Sequence, residues 1–429
     1  MSQKFINQKQ IYKLVDEIAS KEFTDEYHLL TNLVNELIEN NYLEITGGRV
    51  WKFDKVNSIY SLAYQAGEIE KITPGAKLDI YEEEVSQLLK ELAKNRTLLK
   101  KETSQELVKQ GIELYSMSGV GYVYKLEQKK YYEYILGFSA EEFSSSFQDL
   151  LSIIGSVASS SIKNLNSKIK EKKVQRDYLQ AKQIQDNILP EHYTEFLDYK
   201  IFGVCVPDSD IGGDYFDYIK NNEHEDDEET LSIVISDASS KGLPAAIQSL
   251  FVSGALRMGM SFASRISHIF ALLNNLLYKT FPYERFITLF MCELTRSKNR
   301  MILYANAGHC SPILYRLNKN KFSELAPTGG LVGIMEHQKY GVENTKMGKG
   351  DILTLFSDGI NEALDENDNM FGEERIKDVI KKYKDSSPKE IAYILLEEVE
   401  KFSIKSKYND DKTIVVIKRD KKKRKEVII

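Results

Sequence analysis

A chain of 429 residues with 42% hydrophobic content is long enough for two or three domains, each burying its own core. Its 58 basic and 64 acidic residues leave a formal net charge of −6, which argues against a general nucleic-acid binder and suits hard divalent cations. Three cysteines (Cys205, Cys292, Cys310) without a CxxC pair, and six scattered histidines, argue against a disulfide framework or a zinc ribbon and fit a reducing cytoplasm.

The opening residues, Met1 to Gln10, lack an apolar signal core. The pattern then predicts a helix over His28–Ile38, with Leu29, Leu30, Leu33, Val34 and Leu37 on one face. Gly47-Gly48 ends that region, and Arg49–Phe53 and Ser58–Tyr64 alternate like a strand pair. Tyr81–Leu92 reads as helix. Gly111–Tyr115, Val120–Leu126 and Tyr131–Phe138 read as strands, with Ser116-Met-Ser-Gly punctuating the first two, and Ala140–Ser161 returns to helix. This order describes a small α+β domain over residues 1–160, and at the level of pattern it resembles the GAF-like sensor class. Residues 161–190 form a charged connector helix. Its apolar positions run Ile162, Leu165, Ile169, then change phase to Val174, Tyr178, Ala181, Ile184 and Ile188, with Lys172 and Arg176 inside the seam. Either a solvated connector or a parallel coiled coil joining two chains fits that pattern. Pro190 closes the helix, because proline disfavours α geometry in the residue before it.

Beyond Pro190, over 191–420, short β-rich runs alternate with helical stretches. The runs include 201–206, 215–219, 231–236, 286–294, 300–305, 313–317, 352–356 and 413–417; the helices are 244–260, 264–280, 373–382 and 388–402. The expectation is an α+β layered domain with many antiparallel strands. The helical run near Ala245–Ala263 is the longest apolar stretch, but Gln248 and Arg257 make it too polar to span a bilayer.

Four places in this half place a carboxylate on a turn beside an apolar strand. They are Asp214 and Asp217 in Ile211-Gly-Gly-Asp-Tyr-Phe-Asp, Asp237 after Leu231–Ser236, Asp358 after Ile352–Ser357, and Asp410-Asp411 before Thr413–Ile417. Singly, each is an ordinary turn. Converging carboxylates repel one another unless a cation neutralises them, and magnesium and manganese prefer oxygen ligands. Two such ions about 3.5–4 Å apart can clamp the phosphoryl oxygens of an in-line displacement.

The ordered set Gly-Gly-Asp-Tyr-Phe-Asp (212–217), Asp-Ala-Ser-Ser-Lys-Gly-Leu-Pro-Ala-Ala (237–246), Asn-Ala-Gly-His-Cys-Ser-Pro (306–312), Phe-Ser-Asp-Gly-Ile-Asn-Glu-Ala (356–363), Phe-Gly-Glu-Glu-Arg (371–375) and Asp-Asp-Lys-Thr (410–413) resembles the PPM family of metal-dependent serine/threonine phosphatases, in particular its bacterial SpoIIE/RsbU branch. The resemblance implies an αββα sandwich with two Mn²⁺ or Mg²⁺ ions at one edge. It implies that Asp237 bridges the ions, helped by the Ala238 carbonyl, that Asp358 and Asp411 hold one of them, and that Asp214 lies near the other. Asp237 and Asp358 are then the expected catalytic carboxylates, acting through a metal-bound water, with Asp217 and Asp410 as secondary candidates. The chain departs from the family at Ser240, where glycine is usual; the extra side chain either crowds the turn or donates a new hydrogen bond.

Other residues have bland readings beside functional ones. His309 is either a proton donor or a residue shaping a turn beneath the sheet. Lys241 is either a phosphate contact or a solvated lysine. The acidic run 223–229 reads as a solvated loop, and the basic tail at 421–425 as a soluble terminus. The reading that follows is a cytoplasmic phosphatase acting on phosphoserine or phosphothreonine. The resemblance implies that the substrate is a STAS-type anti-anti-sigma protein in a partner-switching pathway; the N-terminal half is expected to sense a signal, and a homodimer to form through the connector. Neither nucleic acid nor an integral membrane segment is expected. The rival readings are a non-catalytic scaffold with a degenerate phosphatase fold and a two-metal phosphodiesterase; the presence together of Asp214, Asp237, Asp358 and Asp411 argues against the first, and the lack of an aromatic basic groove against a polymer substrate for the second.

Overall fold

The computed structural model describes residues 16, 21–40, 43–68, 75–101, 114–140, 142–143, 147–221, 229–262, 265–282, 284–296, 301–406 and 408–420. Most of the acidic run, the basic tail and residues 111–113 of an expected strand lie outside them. The chain divides into two compact units, Met1–Gln175 and Arg176–Ile429. No helix among the described residues is long and apolar enough to cross a membrane.

The first unit runs α1 (Glu26–Glu39), β1 (Ile45–Asp54), β2 (Ile59–Gly67), β3 (Lys77–Asp79), α2 (Glu83–Asn95), β4 (Thr97–Lys101), β5 (Leu114–Leu126), β6 (Lys129–Ala140) and, as far as Gln175, α3 (Phe147–Asp186), whose last residues fall in the second unit. The strands form one antiparallel sheet in the order β3-β2-β1-β6-β5-β4. Side chains alternate across it as a period of two requires. Val50, Leu136 and Phe138 meet α1 and the start of α3, while Trp51, Phe53 and Ile135 meet Leu89 and Leu92 of α2. The expected break at Ser116–Gly119 does not occur, and β5 continues through it. The two serines that read as punctuation are buried, with their hydroxyls donating to the Leu98 and Leu151 carbonyls. Pairing with strands on both sides overrides their local turn preference. Strand β4 was not legible, since Thr-Leu-Leu-Lys-Lys is too short to show a period.

The helix α3 is continuous for 40 residues, covering both the expected terminal helix and the connector. From Ser167 to Asp177 every side chain on it is exposed.

The second unit contains β7 (Tyr193–Phe196), β8 (Tyr199–Val206), β9 (Tyr215–Asn221), β10 (Thr230–Ala238), α4 (Leu243–Ser261), α5 (Ile266–Thr280), β11 (Ile287–Thr295), β12 (Met301–Ala307), β13 (Ile313–Arg316), β14 (Lys321–Glu324), β15 (Glu343–Lys346), β16 (Ile352–Phe356), the short α6 (Asp358–Asn361), α7 (Gly372–Lys382), α8 (Pro388–Ser403) and β17 (Lys412–Arg419). Two antiparallel sheets form, β15-β12-β11-β10-β9 and β14-β13-β16-β17-β8-β7. Ile233, Ile235, Phe290, Leu353, Leu355, Val415 and Ile417 fill the space between them. The alternate residues face outward but are covered too. Val234 and Leu289 lie beneath α4 and α5, and Ile414 and Val416 lie beneath α7 and α8. The unit is thus an αββα sandwich. Burial on both faces explains why Thr413–Ile417 reads as an unbroken apolar run rather than an alternating one. Helix α8 starts where its sequence dictates, with Ser387 and Glu390 closing a capping box around Pro388.

Leu355 is fully buried between the two sheets. Leu355→Ala should destabilise the protein by about 2–5 kcal/mol through lost transfer energy and the cavity left behind. The check is a fall in the urea midpoint followed by circular dichroism, with the slope unchanged.

Candidate active site

The sandwich brings the sequence-distant aspartates to one edge. Asp214 immediately precedes β9 and Asp237 is the penultimate residue of β10, neighbours in one sheet. Asp358 opens α6 directly after β16, and Asp410 and Asp411 lead into β17, neighbours in the other sheet. Glycine is required where these segments cross. A Cβ on Gly359 would lie 2.1 Å from the Asp411 carbonyl oxygen, and one on Gly212 would lie 2.6 Å from the Asp411 carboxylate.

Crowding shows in the acid strengths. Burial, then Asp358, Asp410 and Asp411, push the Asp237 carboxyl up to about 8. Burial, then Asp410 and Glu362, push Asp358 up to about 6. Asp214 is 1% exposed, and burial and Asp237 raise its carboxyl well above the usual range. Its Oδ2 accepts from the Thr413 hydroxyl at 2.6 Å, while its buried Oδ1 has no partner. Cys310 faces the same carboxylates; burial comes first and their charge second, pushing its thiol up to about 12, so it stays protonated.

Asp410 and Asp411 differ sharply. Asp411 accepts backbone N–H bonds from Asp208 at 2.8 Å, Gly213 at 2.5 Å and Asp214 at 3.4 Å, so its carboxylate holds the loop that carries Asp214. Asp410 instead lines a cavity of about 190 Å³ together with Asp358, Glu362, Asn409 and Lys241. Lys241 pairs with Asp410 at 2.8 Å and is largely exposed, so the pair contributes little stability. Asp217 points away from this group: it is buried, accepts from the Tyr215 hydroxyl at 2.5 Å and pairs with Arg257 at 2.7 Å.

Among the described residues, no three His, Cys, Asp or Glu side chains are arranged as a ready-made metal cage. The donor chemistry nevertheless fits hard cations. The donors are all oxygens, Asp214 Oδ1 is buried without a partner among the described residues, and burial together with neighbouring carboxylates raises Asp214 and Asp237. Magnesium keeps several waters and needs only one or two carboxylates, so a closed cage is not required.

Several residues around the site left no sequence signal. Gln185, at the end of α3, donates to the Gly212 carbonyl at 2.6 Å and accepts from the Gly212 N–H at 3.3 Å. Arg257 of α4, besides pairing with Asp217, donates to the Ile188 carbonyl at 2.9 Å. Ser240, where the family usually has glycine, donates to Oε1 of the fully buried Gln248 at 2.6 Å, tying the Asp237 turn to α4. The extra side chain thus gains a hydrogen bond. His309 is a turn residue. Its N–H donates to Asn306 Oδ1 at 2.8 Å and its Nδ1 meets the Thr288 hydroxyl at 2.8 Å. Burial lowers its ring to about 4, with the Phe356 carbonyl working the other way.

That depression has a stability consequence. The folded value of about 4 lies below the ordinary 6.5, so the neutral ring contributes stability fully above pH 6.5 that is lost as pH falls towards 4. The loss from this group is about 3 kcal/mol. Urea midpoints measured between pH 7 and 4 should fall less steeply in His309→Asn than in the parent chain.

The family model described as Stage II sporulation protein E (SpoIIE) matches residues 227–420, beginning after Asp214 and Asp217. The chain is 27% identical over 242 residues to the phosphoserine phosphatase RsbU of Bacillus subtilis, covering 56% of this chain and 69% of that protein. It is 25% identical over 228 residues to protein IcfG of Synechocystis, covering 47% of this chain but only 35% of that protein. Among solved structures, the SiaA-PP2C domain of Pseudomonas aeruginosa superposes with a TM-score of 0.48 at 19% identity, covering 58% of this chain and 99% of that one. With the aspartates in family order on an αββα sandwich, residues 227–420 form a SpoIIE-type domain by the family model, and the chain is homologous to the phosphoserine phosphatase RsbU.

Proposed function

We propose that the chain hydrolyses phosphoserine or phosphothreonine on a STAS-type anti-anti-sigma protein, using two Mn²⁺ or Mg²⁺ ions, and that its N-terminal unit is a GAF-like sensor. The observation that carries the catalytic reading is the convergence of Asp214, Asp237, Asp358 and Asp410 at one sandwich edge, where burial and then neighbouring carboxylates raise Asp214, Asp237 and Asp358 above the usual carboxylate range. The substrate reading rests on the likeness to RsbU.

Asp237, the Ala238 carbonyl and Asp358 are the proposed ligands, with Asp214 beside them. Asp410 takes the role that the family resemblance suggested for Asp411, because it faces the cavity while Asp411 is committed to backbone N–H groups. When bound, the ions would neutralise these carboxylates, polarise the phosphoryl group and activate a water. The chain's own residues do the rest. Asp411 fixes the loop carrying Asp214, and Thr413 orients the Asp214 carboxylate. Lys241, at the cavity mouth beside Asp410, is placed to meet the dianionic phosphate. His309, neutral and buried, takes no part in proton transfer in this reading.

Turnover of a phosphoserine peptide should require added Mn²⁺ or Mg²⁺ after metal stripping, and undiminished activity in excess EDTA would overturn the mechanism. Asp237→Asn and Asp358→Asn should each lower the rate on the order of 10³-fold or more, because a ligand charge is lost with its shape retained. Asp410→Asn should raise the metal concentration needed for half-activity. Asp411→Asn should instead lower the unfolding temperature, since an amide accepts the loop N–H bonds more weakly than a carboxylate does.

The connector reading extends to a homodimer. The exposed stretch from Ser167 to Asp177 includes Ile169 and Val174, which no described residue of the chain covers. Pairing with a second copy would bury them. Light scattering of the full chain should give a dimer mass, and Ile169→Glu with Val174→Glu should give a monomer; a monomeric parent would leave α3 as a tether only.

A further inference from the structure

The sheet of the N-terminal unit buries a guanidinium with no carboxylate among the described residues to balance it. Arg49 lies in the middle of β1 and is 7% exposed. Its side chain shares the α2-covered face with Trp51, because the intervening and preceding residues, Val50 and Gly48, face α1 and Phe138. Its Nη1 donates to the Ser139 hydroxyl at 2.9 Å, and its buried Nε has no acceptor. Burial, unopposed by any acid among the described residues, weakens its hold on the proton. A buried cation without a counter-charge carries a large desolvation penalty, which proteins ordinarily remove by pairing.

The surroundings have the form of a receptor. In the β1–β6 register, Gly137 stands opposite Arg49, Ile135 stands opposite Trp51, and Ser139 follows Gly137 on the same face. Among the described residues, a Cβ on Gly137 would meet nothing nearer than the Trp51 indole nitrogen, at 4.0 Å. No described side chain therefore covers the sheet surface between guanidinium and indole, which is bordered by the guanidinium N–H groups, the Ser139 hydroxyl and the indole N–H. All are donors, and the guanidinium fork matches the paired oxygens of a carboxylate or phosphate.

We propose that this corner of the N-terminal unit binds the anionic group of a small molecule, a carboxylate or a phosphate, through Arg49 and Ser139 with the Trp51 indole alongside. The proposal stands on the N-terminal unit alone and does not depend on the phosphatase reading. It supplies a ligand class for the sensor role and a residue through which the ligand is held.

Trp51 is the chain's one tryptophan, so its emission reports from this corner without labelling. The full chain would be titrated separately with sodium phosphate and sodium acetate, against sodium chloride at equal ionic strength. A saturable change with one of the two anions, absent in chloride, is expected, and which anion gives it identifies the head group. Arg49→Met should raise the half-saturating concentration tenfold or more, and Ser139→Ala by a smaller factor. The same anion should raise the parent's unfolding temperature and leave that of Arg49→Met unchanged. If Arg49→Met does not fold, Arg49→Lys, which keeps the charge and loses the fork, must show the tenfold weakening. No saturable response with either anion, or an equal response in the Arg49 variant, overturns the proposal.

Discussion

Mutual repulsion among carboxylates governs the C-terminal unit. Asp214, Asp237 and Asp358 are drawn together from strands in opposite sheets, and burial first and neighbouring carboxylates second make each harder to ionise. Such an arrangement is unfavourable in isolation and persists only because the surrounding structure enforces it. The enforcement comes from the apolar filling between the sheets, which sets their separation, and from Asp411, Ser357 and Thr413, which lock the loops at the edge. The same stored repulsion is what would make binding of hard cations favourable there.

The site also has mechanical neighbours. Gln185 holds Gly212, two residues before Asp214, with both ends of its amide, and it is the penultimate residue of a helix that begins at Phe147. Arg257 links the Ile188 carbonyl to buried Asp217, and Ser240 links the Asp237 turn to Gln248 of the same helix, α4. The loops bearing Asp214 and Asp237 are thus each tied to a helix through a polar side chain. In a two-state account, displacement of either helix would shift a carboxylate by way of a hydrogen bond rather than through packing alone.

Much of this was legible in the sequence because it is local. Apolar periodicity located α1, α4, α5, α7 and α8 to within a few residues, and apolar runs located the central strands of both sandwich sheets. The edge strands β7, β14 and β15 were missed, since a strand of four residues paired on one side has too little pattern to separate it from a loop. The serines of β5 misled for the opposite reason: their turn preference is real but weaker than two flanking ladders. Around the site, the aspartates stood out through their recurring context of apolar strand and turn, whereas Gln185, Gln248 and Arg257 are unremarkable polar residues on helices.

By itself the sequence determined the order of elements, the sandwich class of the C-terminal half through its resemblance to a family, and the set of acidic residues from which an active site can be built. Tertiary structure alone decided which of them face one another. Asp410 and Asp411 are chemically identical neighbours at the start of β17, yet one lines the cavity beside Asp358 and the other accepts N–H bonds from a loop about two hundred residues away in the chain. Adjacent residues entering a strand point in opposite directions, so the choice depends on what each side meets, and that is set by long-range packing that no local pattern encodes. The same holds for Arg49: a lone arginine in a strand looks ordinary in sequence, and only the folded sheet shows that it is buried without a counter-charge.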